Sequence, residues 1–267
     1  MDVAGAATAA SPAPAFLPDP AHGRVFTARR TVRSTDVTPA GRLRFDALAR
    51  YLQEAAEDDL ADAGWREPYV WLVRRVAVLV RGYPAHGEAL RVRTFCSATG
   101  PRWAGRTTTL TGTDGDLMQA TAVWVAVARE NGRPVPPGSA FHHIYGAAAQ
   151  GRTVSARLSL PGPPASQAGR AWPLRASDFD TAGHVNNAIH WAAVEDVLAE
   201  CDWLPASAEL EYHRPALPGH EPQLVINHTP DRLGAWLRSG TKLLAAARLA
   251  RSTSPAAAPG RARMAAT

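Results

Sequence analysis

The chain carries one pattern twice. Val32-Arg33, Thr35-Asp36 and Ala40-Gly41 match Leu174-Arg175, Ser177-Asp178 and Ala182-Gly183 without a gap, at a constant spacing of 142 residues (36 to 178). In each copy a strand-like run enters this turn, a helix leaves it, and four strand-like runs follow. A repeat of this length means two similar modules in tandem, each an α+β unit with one long helix against an antiparallel sheet. Few folds satisfy that order twice.

In the first copy, residues 25–35 read as a strand and residues 44–63 as a helix. Leu48, Tyr51, Leu52, Ala55 and Ala56 follow the three–four spacing of one helical face, and Gly64 is a stop signal. Strand-like runs cover 70–83, 89–97, 102–113 and 117–128, with Asp114-Gly115 marking a hairpin. In the second copy the strands fall at 171–177, 206–212, 223–228, 233–239 and 242–249. Pro84-Ala85 resembles Pro215-Ala216 at the start of the next connection. The implied organisation is a disordered leader (1–24), a first module (25–145), an Ala-, Gly-, Pro- and Ser-rich linker (146–170), a second module (171–250) and a disordered tail (251–267).

The net charge of +5 does not point to nucleic acid. Arg152, Arg157 and Arg170 in the linker and Arg251, Arg261 and Arg263 in the tail have no acid near them in sequence, and the rest is close to neutral. No apolar run is long enough for a membrane span, and the first residues lack the basic and apolar regions of a signal peptide. Cys96 and Cys201 form no Cys-x-x-Cys pair and read as reduced thiols, with a cytoplasmic location as the default expectation.

Chemistry concentrates at Asp178-Phe179-Asp180-Thr181-Ala182-Gly183-His184-Val185-Asn186-Asn187. The stretch reads as a strand end, a tight turn at Gly183 and a helix capped by one of the two Asn residues. Two carboxylates, an imidazole and two carboxamides suit a site better than a core. Free backbone N–H groups at a helix start stabilise developing negative charge.

These residues resemble the Asp-x-Asp-x-x-x-His-Val-Asn-Asn motif of the acyl-ACP thioesterases, and Ser97-Ala98-Thr99-Gly100-Pro101-Arg102-Trp103-Ala104-Gly105-Arg106 is similar to a first-module strand pair of bacterial members. The resemblance spans roughly residues 25–250 and implies a tandem (double) hotdog, each module a long helix wrapped by a curved antiparallel sheet. It implies hydrolysis of an acyl chain from the phosphopantetheine thiol of acyl carrier protein, with no metal and no organic cofactor, in fatty acid biosynthesis. The carrier protein is the implied partner, and a homodimer is left open. The chain departs from the plant-type pattern at Ala182, where those enzymes place an Asn, and at Pro215-Ala216, where they place a Glu-Cys pair. Asp180, His184, Asn186 and Asn187 are what carries over.

A thioester needs little help in expelling its thiol, whose pKa is about 8.5. It needs an attacking oxygen and a place for the oxyanion. Asp180 is therefore read as a general base for water or as a direct nucleophile. The carbonyl oxygen is expected on the N–H of His184 or Val185, with Gly183 permitting close approach. His184 orients water, donates to the carbonyl or holds Asp180, with orientation ranked first.

Thr38 and Arg42 stand at the Asp180 and His184 positions of the first copy, so one active site per chain is expected. The first module is then read as binding the acyl chain, along Leu48 and Leu52. Arg102 and Arg106 alternate on a strand; a solvated face is the simpler reading, a docking face for the acidic carrier protein the functional one. Asp178, matched by Asp36, reads as holding its turn, Glu195 as solvated or paired away from the site, and His142-His143 as too isolated for a metal. The rival functions are an acyl-CoA thioesterase, a dehydratase of 3-hydroxyacyl thioesters, for which no motif is seen, and a non-catalytic acyl-binding protein.

Overall fold

A computed structural model describes residues 15–251. The expected leader and tail therefore lie mostly outside the described residues. The part of the leader that is described, residues 15–24, is not loose. Leu17 exchanges backbone hydrogen bonds with the Gln119 side chain, the Arg81 guanidinium covers the Phe16 ring, and Arg24 pairs with Asp59 and Asp62. Polar partners on the first module hold a segment that composition alone reads as free.

The first module runs β1 (Phe26–Thr31), α1 (Phe45–Asp62), β2 (Tyr69–Val80), β3 (Ala89–Thr99), β4 (Trp103–Gly112) and β5 (Gly115–Ala128), followed by α2 (Ser139–Ala149). The second runs β6 (Arg170–Ala171), α3 (Asn187–Leu198), β7 (Pro205–Tyr212), β8 (Gln223–His228), β9 (Arg232–Ser239) and β10 (Lys242–Arg251). All strands join one antiparallel sheet in the order β1-β3-β4-β5-β2-β7-β10-β9-β8-β6. Read from either end towards the β2–β7 seam, the two halves repeat the same order. This is the double hotdog that the resemblance implies, built from the two modules of the repeat.

Leu48, Leu52 and Ala55 on α1 and Trp191, Val194 and Leu198 on α3 enter one core with the inner faces of both half-sheets. Phe45 stacks on Trp191 with ring centroids 5.4 Å apart, joining the starts of α1 and α3. Burying these apolar faces drives the wrap, each large side chain contributing about 1.5–3 kcal/mol. The expected strand at 171–177 shrinks to Arg170–Ala171. Pro173 has no N–H for a ladder, and the chain passes into a short 3-10 turn at Ala176–Asp178.

The linker is the larger correction. Its first residues belong to α2, whose Phe141, Tyr145 and Ala149 fall four apart and pack with Cys96 and Ala104 on the first half-sheet. Downstream, Trp103 Nε1 donates to Val154 O, and the buried Glu211 carboxylate accepts the N–H groups of Ser159 and Leu160 at 2.7 and 3.1 Å. Glu211 sits on β7 at 0 % exposure, so this carboxylate ties the linker to the centre of the sheet. Replacing Glu211 with Ala is expected to cost about 1–3 kcal/mol, because two N–H groups lose their acceptor. Limited proteolysis should then cut faster within 150–169; unchanged cleavage and stability would refute this anchoring role.

Candidate active site

The two turns of the repeat are built alike, bond for bond. Asp36 Oδ2 accepts from Arg33 N at 3.0 Å, and Asp178 Oδ2 from Arg175 N at 2.8 Å. Thr38 N donates to Arg42 O and Gly41 N to Thr38 O; Asp180 N donates to His184 O and Gly183 N to Asp180 O. Gly41 and Gly183 both take the left-handed conformation, at φ 83° and 73°, which favours glycine. Phe45 and Asn187 are the first helical residues of their copies. Asp178 is thus a structural brace, with Asp36 as its twin.

Asp180 is half-buried, and its Oδ1 accepts the N–H of Ala182 at 2.9 Å. That short loop aims the carboxylate and leaves Oδ2 without a protein donor among the described residues. The side chain lies where two cavities meet. One, about 320 Å³, is walled by Leu60, Trp65, Trp71, Phe141 and Tyr145 and bordered by Gln53 and Asn187. The other, about 530 Å³ and more open, is lined by His184, His190, Tyr212 and the cations Arg74, Arg102 and Arg214. Among the described residues, Asp180 is the one carboxylate lining this second cavity.

The structure sorts the remaining expected residues. Asn187 lines both cavities, whereas Asn186 is the helix cap, its Oδ1 accepting Ala188 N at 2.9 Å, and lines neither. The His184 ring lines the open cavity and makes no hydrogen bond to the Asp180 carboxylate; the two residues are joined through the backbone, Asp180 N to His184 O. The N–H of Val185 is taken by Ala216 O at 2.9 Å, so Val185 cannot supply the oxyanion donor. Among the described residues the Asn187 N–H has no protein acceptor.

Leu48 is 1 % exposed inside the core and lines no described cavity, and Leu52 borders only a void of about 20 Å³. The larger apolar cavity follows the C-terminal half of α1 instead, along Gln53, Ala56 and Leu60. Arg106 turns inward to Asp59 at 2.7 Å, and Arg102 precedes β4 rather than alternating with it, so the two form no common docking face. Glu195 is buried and paired: it takes Arg42 in a two-point contact at 3.0 and 2.8 Å and Phe45 N at 2.7 Å.

Residues that the motif did not single out complete the site. Trp124, Phe141 and Tyr145 shape the aromatic cavity, and the Trp124 Nε1 is buried without an acceptor among the described residues. Burial pushes the Cys96 thiol up to about 11, which removes it as a thiolate nucleophile at neutral pH. Burial pushes His190 down to about 4, so it enters any reaction near pH 7 as a neutral ring. The unfolded chain protonates this residue near 6.5 and the folded chain only near 4. Its contribution to stability is therefore full above 6.5 and is lost as pH falls from there towards 4, about 3 kcal/mol in all. His190→Phe should flatten that part of the profile. Urea midpoints of the variant and parent between pH 7 and 4 test this, and parallel profiles would refute it.

The fold is a tandem hotdog, with an aspartate where an aromatic-walled cavity and an open cavity meet. The chain belongs to the acyl-ACP thioesterase family: residues 23–140 match the model of the acyl-ACP thioesterase N-terminal domain and residues 164–243 that of the C-terminal domain. An uncharacterized protein of Mycobacterium tuberculosis is 28% identical over 240 residues, covering 89% of this chain and 96% of that one. Two solved structures are similar in fold. The 12:0-ACP thioesterase from Umbellularia californica has a TM-score of 0.72 at 21% identity, over 86% of this chain and 97% of that one. An acyl-ACP thioesterase from Bacteroides thetaiotaomicron has a TM-score of 0.70 at 18% identity, over 85% and 98%.

Proposed function

We propose that the protein hydrolyses fatty acyl-ACP to free fatty acid and the carrier thiol, with Asp180 as general base. The observation that carries this reading is the position of Asp180 at the meeting of the two cavities. The aromatic cavity suits an acyl chain, and the open one suits a pantetheine arm ending in phosphate, since Arg74, Arg102 and Arg214 line it.

Water held by Asp180 adds to the thioester carbonyl carbon, its proton passes to the carboxylate, and the π pair moves to oxygen. The oxyanion collapses, the C–S bond breaks, and the proton on Asp180 goes to the departing thiolate. The Ala182 N–H holds Oδ1 and keeps the carboxylate aimed, leaving Oδ2 to hold the water. His184 orients the water from the open side.

Thiol release measured on acyl-ACP and acyl-CoA of equal chain length tests the reading. Faster release from acyl-ACP is expected. Equal or reversed rates would assign the activity to acyl-CoA, and no release from either would leave an acyl-binding protein.

A further inference from the structure

The first copy of the repeat is a filled version of the site in the second. Position by position at the spacing of 142, Arg42 stands for His184, Phe45 for Asn187, and Glu195 of the second module for Gln53 of the first. In the filled copy, Glu195 reaches across from α3 and sets a carboxylate oxygen 2.7 Å from the Phe45 N–H, the first of α1. Arg42 locks that carboxylate at two points and lies over the Tyr83 ring at 5.3 Å. Leu43 N donates to Pro84 O as Val185 N donates to Ala216 O, so Tyr83 corresponds to Pro215.

In the second copy each plug component is lost or reduced. His184 replaces the guanidinium, Pro215 replaces the aromatic ring, and Gln53 replaces the carboxylate. A cavity opens there: Gln53 and Asn187 line it together with Asp180, and the Asn187 N–H meets no protein acceptor among the described residues. Gln53 Nε2 gives one hydrogen to Glu57, a turn along α1, at 3.0 Å, which fixes the direction of its amide.

An oxygen bound to the first N–H of the helix in one copy marks where an oxygen binds in the other. From this internal comparison we infer that the thioester carbonyl oxygen takes the place of the Glu195 oxygen, on the Asn187 N–H. Gln53, contributed by the first module, supplies the second donor through its remaining amide hydrogen. Gln53 is then a catalytic residue that the other module lends to Asp180. The oxyanion is held by two donors in the transition state, with no carboxylate on the Asn187 N–H and the Glu57 carboxylate taking only the other Gln53 hydrogen. The inference rests on the hydrolytic reading above.

The test uses the full chain with acyl-ACP. Gln53→Leu should lower kcat about a hundredfold with KM within a few fold, as for loss of one oxyanion donor. Gln53→Glu should lower kcat at neutral pH, and the ratio of its kcat to the parent's should recover as pH falls into the carboxylate range, because the new carboxylate plugs the Asn187 N–H as Glu195 plugs that of Phe45. A purely structural role would produce no such pH dependence. In Asp180→Asn holding acyl-ACP, the thioester carbonyl stretch should rise in frequency when Gln53→Leu is added. Gln53→Leu with kcat within about threefold of the parent, or an unmoved carbonyl stretch, would overturn the inference while leaving hydrolysis by Asp180 intact. An inactive parent chain would instead overturn the hydrolytic reading itself.

Discussion

Asp180→Asn is expected to lower turnover on acyl-ACP at least about a hundredfold while leaving the thermal midpoint unchanged. The substitution keeps the shape of the side chain and its acceptor oxygen for Ala182 N, so the short loop that aims it survives. What disappears is the basic oxygen facing the junction of the two cavities. Steady-state thiol release and a melting curve on the same sample give both numbers. Activity that persists within tenfold would remove Asp180 from the chemistry. A variant that no longer folds would show the carboxylate to be a brace, as Asp178 is.

The second large effect concerns the filled copy. Glu195→Ala leaves the Arg42 guanidinium and the Phe45 N–H without their acceptor in a place where the two charged side chains are only 13% and 8% exposed. Breaking a buried pair on one side costs about 3–5 kcal/mol, which for a chain of this size is a drop in melting temperature of roughly 10 °C. Removing both partners in Arg42→Leu with Glu195→Leu should restore most of that loss, since neither charge is then stranded. The measurement is thermal unfolding of the three proteins side by side. A single-variant loss under about 1 kcal/mol would mean that the pair is hydrated and does not join the modules.

How much of this was readable in advance follows from the range of the interactions. The turn at Gly183, a cap at one of the two Asn residues and the bracing by Asp178 involve partners a few positions apart, so residue types in order are enough to state them; the structure picks Asn186 as the cap. The failures have the same logic. Arg106 on a strand reads as solvated until Asp59, 47 residues away in sequence, is found 2.7 Å from it in the fold, and the Ala- and Gly-rich run around residue 146 reads as linker until α2 is seen to bury Phe141 and Tyr145. Gln53 was within reach: the spacing of 142 that pairs Asp36 with Asp178 also pairs it with Glu195, but only a structure shows what Glu195 holds.

By itself the sequence determined the duplication, the helix that leaves each turn and the aspartate placed in one turn but not the other. Those properties live in local hydrogen bonding and periodicity, which neighbours along the chain specify. Tertiary structure decided which copy is open and which is filled, where the apolar cavity runs, and that Gln53 of the first module lines a cavity together with Asp180 and Asn187 of the second. These depend on contacts between residues as much as 153 positions apart, whose geometry exists only after both half-sheets have closed over one core.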